Sequence, residues 1–238
     1  DKAVTGSRRM QRFIQWRCEN YLCRKVKDPV LRKKLTPNFK AGCKRLILAS
    51  GYFDAIQSPQ TELVCESISK IVPDGVITAD GTHHKLDVLI YATGFKAHNY
   101  MRPMKVSGVG GVTIDEVWGE FVFGHRSVSI PGFPNFFMLY GPNTNLGHTS
   151  IVYMIESQIA YVMNALALLD AEQAAATEVR KDVQDRFNHG LQAQLSKMIW
   201  NADCTSWYKT DAGKNTNNWP GYSFAYRMAT RRVVTADY

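Results

Sequence analysis

The sequence predicts an α/β chain, and three observations carry that reading. A basic stretch over residues 8–35 reads as helical. Short apolar segments between residues 44 and 78 are separated by turn residues. Two almost wholly apolar runs, 86–92 and 136–140, have the composition of strands covered on both faces, and apolar segments at helical spacing follow them.

The helical stretch 8–35 places Phe13, Trp16 and Tyr21 among basic residues, as on the buried side of an amphipathic helix, and it ends at Leu35-Thr36-Pro37, where proline disfavours helix in the residue before it. Lys44–Ala49, Glu62–Cys65, Ser67–Val72 and Gly75–Thr78, with a turn at Asp80-Gly81, predict a small antiparallel meander. Leu86–Ala92 is expected in the middle of a sheet, and Phe136–Tyr140 is expected as a second buried strand. The Gly108-Val109-Gly110-Gly111 run is read as a turn, because the third glycine of a dinucleotide loop is replaced by Thr113. Gly141-Pro142-Asn143 then leads to a helix starting near Thr149 or Ser150, so that strand, polar loop and helix N-terminus form a plausible cofactor cradle. Val183, Phe187, Leu191, Leu195 and Met198 recur at helical spacing as ordinary core positions.

Charge and cysteine usage bound the function. The net charge is +8, but residues 1–45 hold 14 Lys/Arg against 3 Asp/Glu, so the basicity is local and reads mainly as a solvated helix face. No nucleic-acid motif accompanies it, and no nucleic-acid partner is expected. Ile151–Leu169 has about the length of a membrane span but is broken by Glu156, Ser157, Gln158 and Asn164, which predicts a buried soluble helix and no membrane partner. The five cysteines, Cys18, Cys23, Cys43, Cys65 and Cys204, are odd in number and lack a CxxC pair, as expected of reduced thiols in a cytoplasmic protein. His83, His84, His125 and His148 show no metal-ligand spacing, so no metal is expected. The chain opens at Asp1 without a signal segment and reads as the later part of a longer protein.

Four segments, in order, carry a family resemblance. Asp87-Val88-Leu89-Ile90-Tyr91-Ala92-Thr93-Gly94-Phe95 resembles the D-x-x-x-x-A-T-G-[FY] strand of flavoprotein monooxygenases with two nucleotide-binding domains. Gly42-Cys43-Lys44-Arg45, Pro131-Gly132-Phe133-Pro134-Asn135-Phe136-Phe137 running to Gly141-Pro142-Asn143, and Ser206-Trp207-Tyr208 are similar to segments of the Baeyer–Villiger monooxygenases and their flavin-containing relatives. The resemblance implies the C-terminal part of a Rossmann-like flavoprotein, with a β-meander and C-terminal helices. It divides the chain into residues 1–92, a helical segment with the end of the NADP-binding domain, and residues 93–238, the returning part of the FAD-binding domain. No GxGxxG occurs in these residues, so the phosphate-cradling glycines of both domains are expected in a missing N-terminal half of the same enzyme.

The same resemblance implies an enzyme using FAD, NADPH and O2 to insert one oxygen atom into a small-molecule substrate, converting a ketone to an ester or lactone. Its rivals are a nitrogen- or sulfur-oxidising flavin monooxygenase and a non-catalytic basic binding module. Arg45 corresponds to the family's active-site arginine, a permanent cation for charge that develops during oxygenation, and otherwise reads as an exposed strand-end charge. Lys44 is implied at the 2′-phosphate of NADPH, with a solvated lysine as the alternative, and Trp207 as the ring that closes over the nicotinamide, with the nearby Gly213–Asn218 stretch polar enough for a mobile loop and a core tryptophan as the alternative. FAD contacts are implied for Ala92, Thr93, Gly94, Pro142, Asn143 and the helix end at Thr149, Ser150 and Ile151. That helix end serves equally as a plain cap.

Overall fold

A computed structural model describes residues 7–147, 149–201 and 204–238. His148 therefore lies outside the described residues. The chain forms two compact units. The smaller comprises residues 16–38 and 47–96, and the larger residues 1–15, 39–46 and 97–238.

Helix α1 spans Arg8–Lys25, and Arg24 and Lys25 close it with the charge that suits a helix C-terminus. Phe13, Trp16 and Tyr21 are exposed rather than on a buried side. In the smaller unit, helix α2 (Pro29–Leu35) starts with proline at its first position and with Asp28 accepting from the Val30 amide at 2.9 Å. It ends at Thr36, as the Thr36-Pro37 break requires. Helix α3 (Tyr52–Ile56) follows, its Asp54 paired with Lys25 at 3.4 Å.

The meander is present as strands β1 (Ile68–Val72), β2 (Gly75–Thr78) and β3 (His83–Lys85), antiparallel in that order. The turn between β2 and β3 is built by Asp80, whose carboxylate accepts from the Thr78 hydroxyl at 2.6 Å, the Thr82 amide at 3.1 Å and the Thr82 hydroxyl at 3.0 Å. These bonds hold the Asp80 carboxyl below its usual pKa. Gly81 supplies the left-handed backbone of the turn at φ +86°.

Four of the expected strands are not formed. Lys44–Ala49 and Glu62–Cys65 are irregular, and Leu86–Ala92 runs without strand pairing, with Val88 73%, Ile90 82% and Tyr91 69% exposed. An apolar run becomes a strand only where a neighbour supplies backbone partners, and the described sheet ends at β3. Phe136–Tyr140 is likewise not a regular strand. Asn135 and Tyr140 at its ends sit at φ +59° and +56°, which bends the chain out of extended pairing and leaves one ladder-like bond from the Met138 amide to the Val128 carbonyl at 2.7 Å.

In the larger unit, helix α4 (Ile114–Trp118) opens with a Thr113–Glu116 capping box and buries Ile114 and Trp118 against Ile130, Phe133 and Met138. Helix α5 (Ile151–Ala171) starts where the sequence places it, with Ser150 at its N-cap. It is long and apolar enough to cross a membrane by length and composition, yet it packs one face inward through Met154, Ser157, Gln158, Tyr161 and Ala165. Gln158 donates to the Ser127 carbonyl and the Thr144 hydroxyl at 3.2 Å each. Val152, Ile159, Met163 and Leu166 stay exposed on the other face, so the helix is half-buried rather than fully buried. Helix α6 (Lys181–Leu195) buries Val183, Leu191 and Leu195, and helix α7 (Ser223–Ala229) packs on α5.

The cysteine reading needs correction. Cys43 and Cys204 are joined as a disulfide, while Cys18, Cys23 and Cys65 are free and exposed. The pair is distant in sequence and becomes close only because the segments around it share one apolar cluster with Leu191, Leu195, Ile199, Trp200 and Tyr208.

Candidate active site

The Gly42-Cys43-Lys44-Arg45 segment is seated by its first two residues. Gly42 takes φ +90°, a left-handed turn natural to glycine, and Cys43 is completely buried in the cluster with Trp200 and Tyr208. The next two side chains are exposed. Lys44 holds its ammonium 4.6 Å from the centre of the Phe39 ring. Arg45 lies within electrostatic reach of two phenols, Tyr140 and Tyr208. Burial pushes both phenol pKa values up, and the Arg45 charge opposes that shift by favouring the phenolate. Both rings therefore stay protonated at neutral pH, as neutral hydroxyls beside a permanent cation.

Tyr208 stands between two tryptophans, 4.5 Å from Trp207 and 6.1 Å edge-on to Trp200 between ring centres. Trp207 is 42% exposed, so it is no core tryptophan, but its backbone is fixed. The Asn217 side-chain amide donates to the Trp207 carbonyl at 3.0 Å, and the Tyr100 hydroxyl donates to the Asn217 carbonyl oxygen at 3.1 Å. His98 joins the same network at 3.0 Å from both the Thr216 hydroxyl and the Lys209 carbonyl.

The expected mobile loop at Gly213–Asn218 is instead mostly interior. Asn215, Thr216, Asn217 and Asn218 are buried. Their polarity serves internal hydrogen bonds: the Asn143 amide donates to the carbonyls of Asn215 and Asn218 at 3.0 and 3.1 Å, and Asn145 donates to the Asn218 side chain at 2.7 Å. Pro142 and Asn143 are accordingly buried, with Asn143 at φ +59°. The preceding Gly141 packs so close to the Ser127 carbonyl that any side chain there would collide with it.

Thr149, Ser150 and Ile151 lie at the N-terminus of α5, with Thr149 and Ser150 exposed. Ser150 makes no side-chain capping bond, so the first-turn N–H groups have no side-chain cap and keep their partial positive charge for another acceptor. Ala92, Thr93 and Gly94 belong to the smaller unit, where they are exposed and irregular, with Gly94 at φ +84°. Among the described residues, no group of three His, Cys, Asp or Glu side chains could hold a metal ion.

Arg45 and Trp207 thus come from distant segments that share Tyr208, the first within electrostatic reach of it and the second in ring contact with it, and Tyr208 lies in the apolar cluster with Cys43. Tyr140 is a further member that sequence reasoning passed over. Its left-handed backbone leaves no mark on composition, and only its place directly before Gly141-Pro142-Asn143 could have pointed to it.

No protein-family model matches the chain. It is 34% identical over 236 residues to a Baeyer–Villiger monooxygenase of Pseudomonas aeruginosa, covering 98% of this chain and 45% of that protein. It is 36% identical over 228 residues to a Baeyer–Villiger monooxygenase of Streptomyces coelicolor, covering 95% of this chain and 44% of that protein. Among solved structures, an oxidised steroid monooxygenase bound to NADP superposes with a TM-score of 0.83 at 27% identity, over 96% of this chain and 44% of that one. Cyclohexanone monooxygenase from Rhodococcus sp. Phi1 shares the fold with a TM-score of 0.85 at 22% identity, over 96% of this chain and 44% of that one. The fold is thus that of the C-terminal portion of two-dinucleotide-binding-domain flavoproteins, here α/β with a small antiparallel sheet. Over nearly its whole length the chain is similar to Baeyer–Villiger monooxygenases, and it spans less than half the length of the curated relatives it matches.

Proposed function

We propose that the chain is the C-terminal part of a Baeyer–Villiger-type monooxygenase that uses FAD, NADPH and O2 to convert a small ketone to an ester or lactone. The observation that carries the proposal is the grouping of Arg45 with Tyr140 and Tyr208 beside the half-exposed Trp207 ring. A buried cluster and a covalent bond support that grouping.

The residues present fit both nucleotides. The α5 N-terminus at Ser150 has no side-chain cap, which suits an anionic flavin edge and stabilises it by up to ~2 kcal/mol where partly buried. Lys44 is an exposed cation suited to a phosphate, and Gly94 adds a bend after the Ala92-Thr93 pair that we assign to FAD. Pro142 and Asn143 act from the interior by shaping the loop before α5. Bound FAD, reduced by NADPH, supplies the activation of oxygen.

The chain's own residues hold charge and exclude water. Arg45 offers a fork of donors that cannot lose its proton, aimed at negative charge developing on the attacked carbonyl oxygen. Tyr140 and Tyr208, kept neutral by burial, contribute hydroxyls without a competing anion. Trp207 is 42% exposed, and its large apolar ring is suited to covering a planar ring system.

Turnover by the complete protein tests this reading. With FAD bound, NADPH oxidation in the presence of a cyclic ketone panel is expected to yield lactones carrying one added oxygen. Oxygenation confined to amines or sulfides would move the protein to the heteroatom-oxidising class, and no NADPH-dependent oxygenation of any substrate would remove the enzymatic reading.

A further inference from the structure

We propose that Cys43 and Cys204 form a reversible thiol–disulfide switch that sets the position of Arg45 against the Ser206-Trp207-Tyr208 segment. The inference deepens the assignment of Arg45 to the oxygenation site and rests on it. The two sulfurs are placed for this role. Cys43 stands two positions before Arg45, and Cys204 stands two positions before Ser206 and three before Trp207. Their Cα atoms are 6.5 Å apart, inside the span that a disulfide bridges without backbone movement.

The residues directly beyond each cysteine are irregular, and regular anchoring resumes only at Trp207 and Tyr208, which the Asn217 side chain holds. The turn leading to Cys43 is anchored by the Ala41 amide donating to Gln15 Oε1 at 2.7 Å and by the Cys43 amide donating to the Lys40 carbonyl at 3.1 Å. After Cys43, residues 45–49 are exposed and enter neither helix nor strand. On the other side, residues 204–206 are also irregular. The disulfide is thus a direct mechanical link between the arginine segment and the tryptophan segment, across 161 positions of sequence.

The pair is asymmetric in a way that suits reversible chemistry. Cys43 is fully buried, whereas Cys204 is only partly buried, so a reductant would approach from the Cys204 side. A dithiol reductant breaks the Sγ–Sγ bond. Two electrons and two protons pass to the two sulfurs, giving two thiols, and the reductant leaves as its own disulfide. Reduced Cys43 remains in its cluster as a small apolar side chain. The Cys204 segment loses its covalent tie to the residue two positions from Arg45.

The test uses the complete purified protein, equilibrated in glutathione buffers from reducing to oxidising, trapped by alkylation and mapped by mass spectrometry. The peptides of Cys43 and Cys204 are expected to be joined at the oxidising end and separately alkylated at the reducing end, with Cys18, Cys23 and Cys65 available throughout. In the same samples, initial tryptic cleavage after Lys44 and Arg45 should be at least about tenfold faster in the reduced form, as expected for a segment released from a local tether. Cys204→Ser, checked for folding by circular dichroism, should cleave at the reduced rate in both buffers. Cys43 and Cys204 alkylated at every poise, or equal cleavage rates for joined and separated forms, would overturn the switch. None of these readouts uses flavin or product, so failure of the Arg45 assignment and failure of the switch are read in separate experiments.

Discussion

The side-chain amide of Asn143 donates to the backbone carbonyl of Asn218 at 3.1 Å, 75 positions away in sequence. Through this bond and its companion to the Asn215 carbonyl at 3.0 Å, the loop that leads from Tyr140 towards α5 is fastened to the segment that follows Trp207. Buried asparagine side chains thus add to the backbone bonds, Asn143 to Thr216 and Asn145 to Asn217, that join this loop to residues 215–218.

Asn143→Ala removes both bonds and places alanine at φ +59°, a region that L side chains other than Asn and Asp seldom occupy. The expected loss is about 2–4 kcal/mol of stability, combining the loss of the donor to the buried Asn218 carbonyl with backbone strain, while the Asn215 carbonyl keeps the Gln192 side-chain amide at 3.0 Å. Asn143→Gly, which accepts the backbone angle, should lose less. Chemical denaturation of the three proteins measures this, and equal stability of Asn143→Ala and the parent would show that the knot carries no stability.

Acid should destabilise the larger unit through His125. The ring is buried beside Arg126, Asp237, Phe187 and Tyr238, and its pKa is lowered from 6.5 to about 4, first by burial and then by the Arg126 charge, with Asp237 opposing. Arg126 Nε donates to His125 Nε2 at 3.2 Å, an arrangement that requires the neutral ring. Because the folded pKa lies below the unfolded one, the unfolded chain takes up the proton first as pH falls. The contribution is intact above about pH 6.5 and is lost between there and about pH 4, roughly 3 kcal/mol in all. His125→Gln should flatten this part of the stability profile measured by urea unfolding across pH, and an unchanged slope would show that another group titrates there.

Lys44→Ala in the complete protein should weaken NADPH use while leaving NADH use nearly unchanged. Loss of one charge-assisted phosphate contact costs about 1.5–3 kcal/mol, or roughly 10- to 150-fold in apparent affinity. Steady-state kinetics with both nucleotides decides it, and equal losses would detach Lys44 from the 2′-phosphate.

Much of the helical framework was legible in the sequence because its signals are local. Thr36-Pro37 ends α2 as expected, although the single helical stretch read over 8–35 is interrupted at residues 26–28, where Asp28-Pro29 starts α2; Ser150 stands at the head of α5, and the spacing from Val183 to Leu195 describes the buried face of α6. The meander was legible for the same reason, through Asp80-Gly81. Leu86–Ala92 and Phe136–Tyr140 misled because apolarity reports a demand for burial, whereas a strand also needs partners that composition cannot show. In the candidate site, Arg45 and Trp207 were singled out by resemblance alone, and their roles are proposals. Tyr140 and the Cys43–Cys204 bond were not legible, since one depends on a left-handed backbone and the other on a contact across 161 positions.

The central claim is that Arg45 is the cation of the oxygenation site, and product formed per NADPH consumed by Arg45→Ala in the complete, FAD-loaded protein tests it most directly. Removing one preorganised charge donor costs about 2.7–4 kcal/mol of transition-state stabilisation, or roughly 100- to 1000-fold in the oxygenation step. The variant is expected to keep its flavin, since the residues assigned to FAD lie elsewhere, at Ala92-Thr93-Gly94 and Ser150, and to divert its residual NADPH consumption to hydrogen peroxide. Arg45→Lys should restore little, because lysine lacks the planar fork. Product formation by Arg45→Ala at the parent rate and coupling would contradict the account.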